Sequence, residues 1–423
     1  MKQRMNVALK RWYSSERTKS ANPLILISNN QNIHFNLSLE NFLLNNYSDL
    51  LKYLNVNTIE KYDDPVLFLW RNNRSIIIGK NQNIWSECNL ENIKKDNVQV
   101  ARRFTGGGAV YHDLENVCFT FLNNTLNTDN NFSIILKTLK RHFSIDAKKQ
   151  GRNDITVNDR KCSGSAFKKV RNVFLHHGTI MVNLEKDVLK MYLTPDKMKY
   201  IKHGVSSVNA RTINLKEINQ NITCQNLCCA LIKEFEAFYK KGVSDTEGEG
   251  SNAATLHVED YTCGDSGATS LGQPNGHLTA NLNKREKSTD NLVDISSPIS
   301  NHFNIHYIDT NESITKNPEF LKYLNLLKDW DWCYGKTPKF QNRLCRQFNF
   351  GKLEIFFNVS DGMIKDGNIF SDCLDVNLVE QLKFIFNNDV KYSKDSVSSF
   401  LRGLKVENKD PLAEVTEWIL QEL

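Results

Sequence analysis

Apolar positions along the chain recur with two periods. PLILIS (23–28) is a dense β run, and HFNLSLENFLL (34–44) places Phe35, Leu39, Phe42 and Leu43 at helical spacing. VLFLW (66–70) and SIIIG (75–79) are short β runs separated by Arg71-Asn72-Asn73-Arg74, a pattern that predicts a hairpin. LENIKKD (90–96) predicts a short helix leading into the strand VQVAR (98–102). The strands GAVYH (108–112) and NVCFTFL (116–122) flank Asp113-Leu114-Glu115. FSIILKTLKRHF (132–143) is an amphipathic helix. DITV (154–157), RKCSGSAF (160–167) and FLHHGTIMV (174–182) add strands, and KDVLKMYL (186–193) another helix. Strands interleaved with helices of ordinary length predict an α+β (or α/β) domain over 21–241.

The pattern then breaks. Residues 242–300 hold seven of the chain's twenty glycines and a single aromatic, Tyr261. Such a stretch buries too little apolar surface to offset its ordering entropy, so a disordered linker or insertion is expected. From 301 the periodicity returns with a helix (PEFLKYLNLL), the Trp-rich DWDWCYGKTPKF, the β runs FNFGKLEIFFNV and MIKDGNIF, and then two helices. This predicts a second, smaller α+β domain over 301–423.

Charge changes the picture at one end only. The chain carries +6, and the first twenty residues, with six basic residues against Glu16, account for +5 of it. The remainder lacks the basic face of a nucleic-acid binder, and no apolar run reaches the ~20 residues of a membrane helix. Met1, Met5, Ala8, Leu9 and Trp12 share one helical face with basic residues on the others, which predicts a mitochondrial presequence over 1–20. Cleavage is expected near Tyr13, with the mature protein in the matrix and its ten cysteines reduced. Cys224, Cys228 and Cys229 fit a buried helix face. Cys333, Cys345 and Cys373 lack zinc spacing, so no structural zinc is expected.

Three stretches carry candidate chemistry. In ARRFTGGGAVYHD (101–113), three glycines permit positive φ and close approach of amide N–H groups to an anion, with Arg102 and Arg103 beside them. Strand alternation sends Val110 and His112 to one face, Ala109 and Tyr111 to the other. In GRNDITVNDRKCSGSAF (151–167), Lys161 opens a run of small residues that leaves room for a ligand against backbone. In FLHHGTIMV, His176 and His177 point to opposite faces and are poor joint metal ligands. Cys162 beside Lys161 reads as a buried small residue rather than a thiolate nucleophile. Gly335-Lys336-Thr337 lacks the earlier glycine of a P-loop, since Trp330 stands there.

Taken in order, VLFLWRN…SIIIGKNQNIWSECN (66–89), ARRFTGGGAVYHDLENVCFTF (101–121), GRNDITVNDRKCSGSAF (151–167), FLHHGTIMVN (174–183), YLTPDKMKYIKHGVSSVNARTINL (192–215) and WDWCYGKTPKF (330–340) resemble the lipoate–protein ligase A family, of the biotin/lipoate-ligase catalytic fold. The resemblance covers nearly the whole chain outside the presequence and the insertion, and implies an accessory domain at the C-terminus. It implies ATP-dependent activation of lipoate or octanoate with Mg²⁺ to the acyl-adenylate. Transfer then follows to a lysine of apo carrier domains, the 2-oxoacid dehydrogenase acyltransferase subunits and the glycine-cleavage H protein. By the resemblance, Arg103, Gly108, Ala109, Val110, Tyr111 and Lys161 bind ATP, and Lys161 is catalytic. Lys161, Arg102, Thr105, Gly106, Gly107, His112, Asp154, Ser163, Gly164 and His177 bind lipoate, and no metal ligand is assigned. Val110, Phe119, Ala166 and Phe174 are expected to wall the acyl slot.

Glu115 departs from the family's glycine, a strained position if φ is positive there. The resemblance leaves open a lipoyl or octanoyl transferase that takes its acyl group from acyl-CoA, acyl-AMP or lipoylated H protein. A carrier-binding module without activation stays open as well. Biotin–protein ligase is disfavoured by the missing Gly-Arg-Gly-rich loop. A monomer is expected.

Overall fold

The computed structural model describes residues 22–54, 61–125, 128–193, 200–201, 212–240, 305–337, 340–371 and 375–423. The presequence, the 242–300 insertion and the middle of the 192–215 stretch lie outside them.

Among the described residues an eight-stranded mixed sheet forms the frame. Its members are β1 (Leu24–Ser28), β2 (Val66–Trp70), β6 (Asn116–Asn123), β7 (Lys148–Gln150), β8 (Asp154–Val157), β9 (Arg160–Val170), β10 (Val173–Met181) and β12 (Ile305–Ile308). They run in the order β12-β1-β2-β6-β10-β9-β8-β7. A three-stranded sheet, β4-β3-β5, comprises β3 (Ser75–Ile78), β4 (Gln99–Arg102) and β5 (Val110–His112). A third sheet of the C-terminal region orders β11 (Tyr200–Ile201), β13 (Phe340–Phe348), β14 (Gly351–Ser360) and β15 (Met363–Ser371). The expected mixed α+β class is observed.

The large sheet is buried on both faces. One face packs on α3 (Thr128–Phe143) and α5 (Cys224–Lys240) through Phe119, Phe121, Ile155 and Ile180. The other carries Cys118 and Leu175 and packs on α1 (Ile33–Asn45). Helix α1 is capped by Asn32, whose side chain accepts from the amides of His34 and Phe35. The sequence reading gave α1 one apolar stripe, yet it is buried on almost every side. The reason is α6 (Pro318–Lys328), which covers its outer surface, with Phe320 edge-on to Phe35 at 5.3 Å.

Four expectations are corrected. The chain does not divide at 301: β12 adds in parallel to β1, and α6 packs on α1, so 305–328 belong with the large sheet. Parallel pairing across a long sequence gap leaves no local signature. The Arg71–Arg74 turn is not a hairpin, because β2 pairs with β1 and β6 while β3 enters the small sheet. FNFGKLEIFFNV is not one strand: β13 ends at Phe348 and β14 starts at Gly351, whose φ of 140° makes the reversal. Three helices follow rather than two: α7 (Val376–Lys383), α8 (Lys394–Arg402) and α9 (Lys409–Glu422).

Candidate active site

The glycine loop lies against the α1-facing side of the large sheet. Its shape is set from beneath by Arg103, only 6 % exposed, whose Nε donates to Thr105 Oγ1 at 3.1 Å. Nη2 donates to the carbonyls of Gly106 at 2.7 Å and Gly108 at 2.8 Å, and Nη1 donates to that of Ile77 at 3.2 Å. Gathering loop carbonyls on one cation leaves the opposite side of the loop for amide donors, the arrangement that suits an anion. Gly107 has φ +97° and leaves no space for a side chain, since a Cβ there would stand 2.7 Å from Arg103 Nη2. Burial lowers the Arg103 guanidinium to about 10, against the opposing pull of Glu40, so it stays cationic at neutral pH. The resemblance assigned Arg103 to the nucleotide. Here it shapes the loop that would meet the nucleotide.

Behind the loop runs a buried relay. His177 Nε2 and Thr105 Oγ1 are 2.8 Å apart, and His177 Nδ1 lies 2.8 Å from Glu40 Oε1 on α1. Glu40 also accepts from Thr120 Oγ1 at 2.6 Å. With Nδ1–H donated to the carboxylate, Nε2 is left to accept the Thr105 hydroxyl, whose oxygen in turn accepts Arg103. Glu40→Ala leaves His177 and Thr120 without an acceptor in a buried place. A stability loss of about 1–3 kcal/mol is expected, read by urea unfolding, with Glu40→Gln losing less.

Across the sheet, β8 and β9 supply the second half of the site. Register slips between Ile155 and Thr156, and this bulge places Lys161 opposite Thr156 while Asp154 pairs with Gly164. Lys161 Nζ meets Asp154 Oδ1 at 2.8 Å, each side chain more than a quarter exposed. The Lys161 stem lies across Gly164, where a Cβ would come within 2.9 Å of both Cε and Nζ. Gly164 pairs with Thr179 and Ala166 with His177, so all four share one face. The loop closes onto that face, for a Cβ on Gly107 would lie 3.9 Å from that of Ala166.

Thus Arg103, Thr105, Gly106, Gly107, Gly108, His112, Asp154, Lys161, Gly164 and His177 gather on one side of the sheet, with Val110 on the same side of β5 as His112. Four expected residues do not join them. Arg102 is fully buried, its guanidinium donating to the carbonyls of Gly79, Lys80, Gln82, Trp332 and Cys333 and to Thr337 Oγ1. It clamps the segment after α6 to the small sheet. Ala109 and Tyr111 turn their side chains into the cluster shared with the C-terminal region, as strand alternation dictates. Ser163 pairs with Ile155 and Ile180 and so faces the α3 and α5 side. The expected slot walls also divide: Phe119 and Phe174 share that far face, away from Ala166. The floor on the near side is instead a row of small residues, Gly164, Thr179 and Cys118, paired across β9, β10 and β6.

Glu115 is not strained. It is absent from the residues of positive φ, its amide donates to Asp113 Oδ1 at 2.9 Å, and its carbonyl accepts from Val182 and Asn183. Cys162 is buried, its Sγ donating to the Ile155 carbonyl, and burial pushes its thiol up to about 12, which keeps it protonated. No group of three His, Cys, Asp or Glu able to hold a metal occurs among the described residues. No described helix is long and apolar enough to cross a membrane.

His176 takes no part in the near face. It sits among Phe119, Phe121, Phe132 and Phe167, with ring centroids 4.5–5.9 Å away. Burial, then His177 and Lys149, holds its pKa down to about 3. An unfolded histidine titrates near 6.5, so the neutral buried ring favours the fold fully above pH ~6.5, and that contribution is lost progressively as pH falls toward 3. His176→Phe is expected to blunt the decline in melting temperature between pH 7 and pH 5. An unchanged decline removes His176 as its source.

Residues 32–236 match the lipoyl protein ligase A/B catalytic domain, and residues 337–419 the bacterial lipoate protein ligase C-terminus. Lipoate–protein ligase 1 of Plasmodium falciparum (isolate 3D7) is 66% identical over 411 residues, 97% of either chain. The chain belongs to the lipoate–protein ligase family. Lipoate–protein ligase A of Psychrobacter cryohalolentis is 34% identical over 404 residues, 94% of this chain and 98% of that one. The crystal structure of P. falciparum LipL1 in complex with lipoate aligns with TM-score 0.57 at 64% identity, covering 94% of this chain and 99% of that chain. Family membership thus agrees with the resemblance drawn from the six motifs.

The resemblance assigned no role to four residues of this ligase site, Glu40, Asn72, Gly79 and Gln82, although the last three lie within its 66–89 stretch. Glu40 alone left a trace, as the single acid of α1. Asn72 acts through partners distant in sequence, Gly79 through a missing Cβ, and Gln82 by accepting the Gly79 amide three residues back.

Proposed function

We propose that this chain joins lipoate, or octanoate, to a lysine of apo carrier domains in two steps with MgATP as substrate. In the first, a carboxylate oxygen of the acid attacks the α-phosphorus, the bond to the bridging oxygen breaks, and pyrophosphate leaves. In the second, the neutral amine of a carrier lysine attacks the acyl carbon, the C–O bond to AMP breaks, and the amine gives up a proton. The single observation that supports this most is the placement of Lys161 across Gly164 on the face that the glycine loop covers. Two anions meet there, and an ammonium beside both offsets their repulsion and the charge gathering on phosphorus. Among the described residues no cluster of metal ligands occurs, and the divalent ion is taken to arrive on the nucleotide, with Asp154 the carboxylate beside Lys161.

The carriers proposed are the acyltransferase subunits of 2-oxoacid dehydrogenases and the glycine-cleavage H protein. The basic first twenty residues support a mitochondrial matrix address; a fluorescent fusion lacking them is expected to stay in the cytosol. Lipoate-dependent ATP–pyrophosphate exchange tests activation. Incubation with apo carrier and lipoate plus ATP, octanoyl-CoA or lipoylated H protein then compares donors. Transfer from the latter two without any exchange overturns the ligase reading.

A further inference from the structure

Beneath the glycine loop a second buried network ends on an orphan. Ser28 Oγ donates to Asn36 Oδ1 at 2.6 Å, and Asn36 Nδ2 faces the carbonyls of Asn30 and Arg71 and the Oδ1 of Asn72 at 2.8–3.0 Å. Those acceptors orient both amides. With its oxygen turned to Asn36, Asn72 presents Nδ2 to His112 Nδ1 at 2.9 Å. His112 therefore accepts at Nδ1, and its proton resides on Nε2. Burial holds the ring neutral, its pKa lowered to about 3. Asn72 is fully buried, His112 is 4 % exposed, and Nε2 has no hydrogen-bond partner among the described residues. A buried N–H donor left unmade is costly, which assigns it to something the protein binds.

Its position says which part of a substrate it meets. His112 Nδ1 lies 3.5 Å from Cys118 Sγ. Cys118 pairs with Thr179, and Thr179 pairs with Gly164, over which Lys161 lies. Two inter-strand steps, about 10 Å, separate Gly164, over which the lysine lies, from Cys118, which the histidine touches, along this floor of small side chains. That is the reach of an extended eight-carbon acyl chain whose carboxyl end is held at Lys161. We propose that Asn72 is a positioning residue that fixes His112 as the Nε2–H tautomer, and that this donor selects a ring-sulfur acceptor at the far end of the acyl chain. The proposal rests on the acyl-activating reading above. A sulfur of the ring disulfide accepts weakly, as a thioether does, whereas a methylene does not accept at all, and a site built around a donor rejects the analogue that leaves it unpaired.

The test compares lipoate with 5-cyclopentylpentanoate, which keeps the shape and replaces both sulfurs by methylenes. The wild-type protein is expected to favour lipoate by about tenfold in half-saturating concentration for pyrophosphate exchange. In Asn72→Leu and in His112→Phe that ratio is expected to collapse toward unity. Nitrogen-15 NMR of the histidine-labelled wild type reads the tautomer without any variant, and lipoate but not the cyclopentyl acid should shift the His112 Nε2–H signal. A proton on Nδ1, or a ratio unchanged in both variants, overturns the proposal. Absence of exchange with both acids in the wild type would instead overturn the activation reading, while the NMR titration still reports on the donor.

Discussion

Lys161→Ala is expected to lower lipoate-dependent ATP–pyrophosphate exchange by at least ~10²-fold while leaving the melting temperature almost unchanged. The magnitude follows from losing one preorganised charge at the reacting centre. The small stability effect follows from the setting: Lys161 and Asp154 are each more than a quarter exposed, so water screens their ion pair. Such pairs contribute about 0–1 kcal/mol. Exchange and thermal unfolding on the same preparation separate the two effects. Near-normal exchange in a folded Lys161→Ala protein would show that the ammonium lies beside the reaction rather than in it.

Much of this ligase site was legible because its chemistry is concentrated in short segments. The glycines and Arg103 of 101–113 advertise an anion loop, and the small residues after Lys161 advertise backbone open to a ligand. The alternation of β5 correctly separated Val110 and His112 from Ala109 and Tyr111. What stayed hidden depends on pairings that sequence spacing does not carry. Arg102 and Arg103 are chemically alike and adjacent, yet one ties the 332–337 segment to the small sheet and the other shapes the loop. Strand alternation says they diverge but not which one faces the ligand. Ser163 lies beside Gly164 in a run of small residues, but the β9 register turns it away. Phe119 looked like a slot wall, yet its ring lies across Gly178 on the far face, within 2.5 Å of where a Cβ would stand. Strand β12 joins the large sheet across a gap that includes the 242–300 stretch, so composition drew the boundary in the wrong place.

Gly79→Ala is the second large effect, at a residue outside every motif that named the loop. A Cβ on Gly79 would stand 2.0 Å from the carbonyl oxygen of Gly107 and 3.0 Å from its carbon, both backbone atoms. Neither side can yield easily. Gly79 donates its amide to Gln82 Oε1 at 3.0 Å, its carbonyl accepts from Arg102, and the next amide, that of Lys80, donates to the Thr105 carbonyl at 2.8 Å. The Gly107 carbonyl must therefore lift by more than an ångström, carrying the loop amides with it. Misplacement on that scale costs on the order of 10²-fold in rate, and the forced repacking about 1–3 kcal/mol in stability. Gly106 is the matched control, since a Cβ there would meet no protein atom within 4 Å. Gly106→Ala should fold like wild type, so any activity it loses reports contact with ligand. Gly79→Ala should lose both exchange activity and unfolding free energy. Wild-type stability and exchange in Gly79→Ala would mean that the loop does not rest on this glycine.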